Sequence, residues 1–219
     1  ISIGAFTTTN DNEETSGELE INDGVFLCNT TLSIGRANGT ETTAPGGTTS
    51  RLVVNGGEAT CGLLALGFIG GAGTGCNARP ACVVNGGTLT VATYCSIGEN
   101  TGSVATVTVN GGTLRVTGTE ANNLRVGGGQ SVGGTGTLNL SGAGAVEANN
   151  DVSLAYTGSS YGTLNLDGGT LTARNIVKGS GLSAILNLNG GLFRPRIAGR
   201  TLNNLTAAYV AAGGARIDT

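Results

Sequence analysis

The chain has 219 residues, 41 of them glycine and 3 proline, with 11% charged residues, no histidine and a net charge of −3. Glycine at this level without a Gly-X-Y period excludes collagen, and no apolar run approaches the roughly 18 residues that a membrane-crossing helix needs. The missing histidine removes Ser-His-Asp and Cys-His catalytic arrangements and imidazole metal ligands, and the weak negative charge argues against a nucleic-acid partner.

In chain order, Ile1-Ser2-Ile3-Gly4 reads as a short strand, followed by the acidic run Asn10-Asp11-Asn12-Glu13-Glu14. That run is dense in hard oxygen ligands but lacks the spacing of an EF-hand, so it reads as a solvated loop rather than a calcium site. From there one unit recurs, best seen in Val83-Val84-Asn85-Gly86-Gly87-Thr88-Leu89-Thr90-Val91. Apolar and polar residues alternate on both sides of an Asn-Gly-Gly corner, which is the strand period of two. Asn and Gly tolerate positive φ, so the corner turns sharply.

Corners begin at Asn22, Asn55, Asn85, Asn110, Ser141, Asp167, Asn189 and, degenerately, Ala212, spaced 22 to 33 residues apart. A repeat of this size with variable loops is the signature of a solenoid. Three residues before each corner stand Leu19, Leu52, Cys82, Val107, Leu138, Leu164 and Leu186, and one before stand Ile21, Val54, Val84, Val109, Leu140, Leu166 and Leu188. Four after stand Phe26, Ala59, Leu89, Leu114, Leu171 and Phe193, with Val146 reached after a one-residue slip. These columns are predicted to point inward.

A third strand recurs as Leu32-Ser33-Ile34-Gly35, Leu64-Ala65-Leu66-Gly67, Cys95-Ser96-Ile97-Gly98 and Leu124-Arg125-Val126-Gly127, with weaker copies at Val152-Ser153-Leu154 and Ile176-Val177. Length variation follows this strand. The fold class is therefore all-β: a parallel β-helix (β-solenoid) with three short strands per coil, three sheets around an apolar core and about eight coils. Right-handed winding is expected from the handedness of parallel crossovers. Residues 1–219 are expected to form a single solenoid, part of a longer solenoid or filament. Asn22, Asn55, Asn85, Asn110, Asp167 and Asn189 are expected to stack as a corner ladder.

The motif Gly162-Thr163-Leu164-Asn165-Leu166-Asp167-Gly168-Gly169-Thr170-Leu171-Thr172 resembles the autotransporter-associated β-strand repeats. The tail Tyr209–Thr219 looks similar to the segment that often follows them. The resemblance covers nearly the whole chain and implies a secreted or surface-displayed bacterial β-helix, often an adhesin or passenger domain. It carries over no functional residues.

Glu58 and Glu147 lie near the strand after the corner but in non-adjacent coils; Asp151 and Asp167 are not equivalent; Arg115 and Arg194 share a position several coils apart. None of these forms the paired-carboxylate site of a glycosidase. No catalytic residue, cofactor or metal site is predicted. The pairs Thr88/Thr90 and Thr170/Thr172 are interrupted by Thr113/Arg115 and Ala145/Glu147, so they read as β-propensity rather than an ice-binding ladder. Sequons at Asn29, Asn38, Asn139 and Asn204 are expected by chance in a chain rich in Asn and Thr.

Cys28 and Cys61 sit six residues after successive corners and are expected to stack, either as a disulfide or as free thiols. Cys76 and Cys82 flank one loop, which a disulfide could close, while Cys95 takes a core position. Finally, Ile1, Ser2, Ile3 and Gly4 match a third strand, whereas Ala215, Arg216, Ile217 and Asp218 form a second strand. One copy's start is thus expected to complete the coil left open by another's end. Residues 1–60 carry eight acids and two bases, and residues 171–219 one acid and six bases. The expected role is an extracellular structural solenoid, a filament subunit, stalk or adhesin passenger that self-associates head to tail, with host or matrix glycans as further partners and no membrane insertion by this segment. The alternative is a carbohydrate-active β-helix, lyase or glycan-binding.

Overall fold

The computed structural model describes residues 1–6, 16–37, 49–68, 77–129, 133–198 and 202–218. Every described strand pairing is parallel, which requires each strand to be followed by a crossover back to the same sheet. The strands in chain order are β1 (Ser2–Phe6), β2 (Gly17–Ile21), β3 (Val25–Ala37), β4 (Ser50–Val54) and β5 (Glu58–Leu66). Then come β6 (Ala81–Val84), β7 (Thr88–Val91), β8 (Cys95–Ile97), β9 (Val104–Val109), β10 (Thr113–Val116) and β11 (Leu124–Val126). The third group is β12 (Thr135–Leu140), β13 (Ala145–Ala148), β14 (Val152–Leu154), β15 (Tyr161–Leu166), β16 (Thr170–Ala173) and β17 (Ile176–Lys178). The last are β18 (Ser183–Leu188), β19 (Leu192–Pro195), β20 (Leu202–Asn203), β21 (Ala207–Val210) and β22 (Arg216–Ile217).

One face is an eight-stranded sheet in the order β2-β4-β6-β9-β12-β15-β18-β21, made of the strands before each corner. The strands after the corners and the third strands join in one fourteen-stranded sheet. Three separate sheets were predicted; hydrogen bonding gives two, because β3 and β5 run unbroken through the second bend. At Cys28-Asn29-Thr30-Thr31, opposite Cys61-Gly62-Leu63, the bend is absorbed within the strands as a register shift between Cys28 and Thr31. From β7 and β8 onward the two faces separate. The number of turns is also lower than predicted, about six rather than about eight. Eight corner strands enclose only seven intervals, and the last of these closes on a third strand of two residues, β20.

The inward columns form the core. Leu52, Cys82, Val107, Leu138, Leu164 and Leu186 are fully buried, as are Val54, Val84, Val109, Leu140 and Leu166. Leu89, Leu114, Val146 and Leu171 line up as direct neighbours across β7, β10, β13 and β16. The one-residue slip at Ser141 is absorbed by a turn in which the Gly144 N–H donates to Ser141 O at 3.0 Å, restoring the register of Ala145 with Thr113. Each buried leucine contributes about 1.5–3 kcal/mol of apolar transfer, so the ladder is the main source of stability. At the first coil Leu19 and Phe26 are only half-buried.

Glycine at the third corner position is required by stacking as well as by dihedral. Gly57 and Gly87 have φ of 67° and 65°, and a Cβ on Gly87 would collide with the carbonyl of Gly57 below it.

Candidate functional site

Outward side chains repeat at the strand spacing of about 4.8 Å, so like residues in one column bond along the stack. At the corners, Asn55 Nδ2 donates to Asn22 Oδ1 at 2.8 Å and to Glu20 Oε1 at 2.7 Å, and Asn85 Nδ2 donates to Asn55 Oδ1 at 2.7 Å. Further along, Asn189 Nδ2 donates to Asp167 Oδ1 at 3.1 Å and Asn189 Oδ1 accepts from the Gly213 N–H at 2.9 Å. Asn110 is joined to neither group by a side-chain hydrogen bond among the described residues; the next corner presents Ser141 and one extra residue. The corner ladder is thus two short ladders rather than one.

A second amide ladder lies on the outer face of the eight-stranded sheet. Asn139, Asn165 and Asn187 are direct strand partners; Asn165 Nδ2 donates to Asn139 Oδ1 and Asn187 Nδ2 to Asn165 Oδ1, both at 2.7 Å. Asn139 Nδ2 reaches Thr108 Oγ1 at 3.4 Å. Sequence reasoning missed this row, although each residue stands two places before its corner and the signal was there to find.

Ion pairs also run between coils. Arg115 Nε lies 2.7 Å from Glu147 Oε2 and Arg194 Nε 3.0 Å from Asp218 Oδ2, both pairs well exposed. Arg174 grips Asp151 with two bonds of 2.8 and 2.9 Å, and Asn175 Nδ2 donates to the same carboxylate at 2.7 Å. The carboxylate bonds hold the Arg115 and Arg174 guanidiniums above their ordinary range. Glu58 and Glu147 are kept apart by two intervening strands, β7 and β10.

The third face departs most from the sequence reading. Its outward residues Ser33, Ser96, Arg125 and Ser153 are buried, along with Glu99, Asn100 and Ser160 from the loops that follow. Arg125 is stacked between the rings of Tyr94 and Tyr156, 4.0 and 4.5 Å from their centroids. Its Nε donates to Asn122 O at 3.0 Å and its Nη2 pairs with Glu120. Burial, then the nearby Glu99 charge, push the Tyr94 hydroxyl up to about 12, with Arg125 opposing. The stack pins Tyr156, and with it the loop after β14, to the face.

Cys28, Cys61, Cys82 and Cys95 are buried free thiols. Cys28 and Cys61 are strand partners, but their Cβ vectors run side by side and no disulfide joins them; Cys82 is likewise unbridged. Cys76 and the run Asn10–Glu14 lie outside the described residues. Burial, reinforced by neighbouring thiols, pushes Cys61 and Cys82 up to about 12 and Cys95 well above its ordinary value. Among the described residues, no group of three or more Cys, Asp or Glu is placed to hold a metal ion.

The residues expected to mediate self-association sit at opposite ends of the stack. Ser2 and Ile3 pair with Ser33 and Ile34 of β3, and the Ile1 amino group donates to Thr31 O at 2.9 Å. At the far end Arg216 and Ile217 pair with Leu192 and Phe193 of β19, Ala215 is exposed, and Asp218 bonds Arg194. Gly4 has φ 59°.

These features define the class: a parallel β-solenoid repeat protein whose polar side chains bond from coil to coil. No family model matches the sequence, and no curated protein or solved structure matches it.

Proposed function

We propose that the chain is a structural, non-catalytic β-solenoid that works outside the cell as a filament subunit, stalk or adhesin passenger, and that its coils stack head to tail on those of a second copy. The observation that carries this reading is the direction of the polar bonding. The corner amides, the face amides and the Arg115–Glu147 and Arg194–Asp218 pairs all link one coil to the next. Such a chain reinforces a rod along its axis and leaves few convergent groups for chemistry. Charge supports the stacking direction, with acids concentrated in residues 1–60 and bases in 171–219. Apolar side chains support it too: Val25 and Leu27 are 79% and 60% exposed at one end, Tyr209 and Val210 59% and 62% at the other. The resemblance to autotransporter-associated repeats favours the extracellular setting.

Sedimentation velocity across a concentration and salt series tests the proposal. Association that grows with concentration and weakens with salt is expected, because a charge-guided contact is screened beyond about 8–10 Å at 0.1–0.15 M salt. A single monomeric species throughout would overturn it. A glycan-binding reading stands second, favoured by the uncharged row Thr137, Asn139, Thr163, Asn165 and Asn187 beside the exposed ring of Tyr161. Saturable binding to a neutral polysaccharide, lost in Tyr161→Ala, would move the assignment there.

A further inference from the structure

Four of the described corners contain an Asn-Gly step, the dipeptide in which the following backbone nitrogen is least hindered from attacking the side-chain amide. At three of them both reacting groups are held. Asn55 bonds to Asn22, Glu20 and Asn85, and the Gly56 N–H donates to Ile21 O at 3.4 Å. Asn85 bonds to Asn55, and the Gly86 N–H donates to Val54 O at 3.2 Å. Asn189 bonds to Asp167 and Gly213, and the Gly190 N–H donates to Gly214 O at 2.8 Å.

Asn110-Gly111 differs on both counts. The Asn110 side chain is exposed and, among the described residues, makes no hydrogen bond; the Gly111 N–H makes none either. The backbone before the step is nonetheless anchored, with the Asn110 N–H donating to Val84 O at 3.1 Å. In the next coil Ser141 stands where an amide would bond to Asn110 from above, and Gly144 lengthens the corner.

We propose that Asn110-Gly111 is a site of spontaneous deamidation, selected by the break in the corner ladder. The Gly111 nitrogen attacks Asn110 Cγ; the N–Cγ bond forms, the Cγ–Nδ2 bond breaks, and the backbone amide proton leaves with the side-chain nitrogen as ammonia. Water then opens the resulting succinimide at either carbonyl, giving aspartate or isoaspartate, with no oxidant or reductant involved. The two products differ in consequence. Aspartate keeps the backbone length and puts a carboxylate in a column that already holds one at Asp167. Isoaspartate adds a methylene to the backbone between β9 and β10 and disturbs the alignment of Thr113 with Thr88.

The test is mass mapping of the folded chain after incubation at mildly alkaline pH, with cleavage at Glu99 as well as at arginine so that Asn85 and Asn110 fall on different peptides. Conversion at Asn110 is expected to run roughly three- to tenfold faster than at Asn55, Asn85 or Asn189, the ratio that loss of one net hydrogen bond produces. In denaturant the four rates should converge. Ser141→Asn, which restores an amide above Asn110, should slow its conversion toward the other three. Equal rates in the folded chain, a faster rate at any of the held steps, or no slowing in Ser141→Asn would each overturn the proposal.

Discussion

Replacing Leu114 by aspartate tests the inward ladder at its centre. Leu114 is fully buried, with Leu89 below and Val146 above as direct strand partners, so no water reaches the site. Loss of leucine burial removes about 1.5–3 kcal/mol and an unsatisfied neutral carboxyl adds about 1–3 kcal/mol, for roughly 3–6 kcal/mol at acid pH. Ionisation makes it worse. Desolvation raises the folded-state pKa of the new carboxyl above its unfolded value of about 3.9, so the folded state binds the proton more tightly. The variant is therefore least damaged below about pH 4 and loses further stability as pH rises toward the folded pKa. Because each coil contacts only its neighbours, the damage should split the guanidinium transition into two, read by far-ultraviolet circular dichroism at pH 4 and pH 7. Thr113→Asp, one residue earlier on the partly exposed outer face, should stay within about 1 kcal/mol of the parent. Equal losses in the two variants would refute the inward assignment.

Asn165→Ala removes both a donor and an acceptor from the face ladder and should cost about 1–2 kcal/mol in a denaturant melt; no change would mean the ladder does not stabilise the stack. Arg174→Leu strips two bonds from a carboxylate whose side chain is only 12% exposed and should cost about 1–3 kcal/mol, whereas Arg115→Leu, opposite a Glu147 that is 39% exposed, should cost about 0–1 kcal/mol. Cys61, Cys82 and Cys95 have folded-state pKa values raised by burial, so the stability tied to their neutral thiols is complete below about pH 8.5 and is lost as pH climbs toward 12. Melting temperature should fall above that point, and Cys82→Val should flatten the decline; an unchanged slope would contradict buried neutral thiols.

The core was legible because strand alternation and the corner motif recur in one phase: any residue one or three places before a corner had to face inward, and Leu138, Leu164 and Leu186 do. The fused sheets were not, since the bend at Cys61-Gly62-Leu63 is a matter of hydrogen bonding that no residue type announces. Arg125 was also beyond reach. Its strand reads like Cys95-Ser96-Ile97, and only the return of loops of variable length over the outer face, with Tyr156 among them, makes an arginine there buried. The face ladder was a different kind of miss. Asn139, Asn165 and Asn187 share one offset from their corners, but polar outward positions were treated as free to vary.

The central claim, that this solenoid is a structural element whose coils continue from one copy to the next, is tested most directly by electron microscopy of the purified chain at high concentration and low salt. Eight corner strands enclose seven spacings of about 4.8 Å, a stack roughly 34 Å long, and one more spacing at the junction gives the fibre axial repeat of roughly 38 Å that the account predicts. Isolated single particles under the same conditions would contradict it.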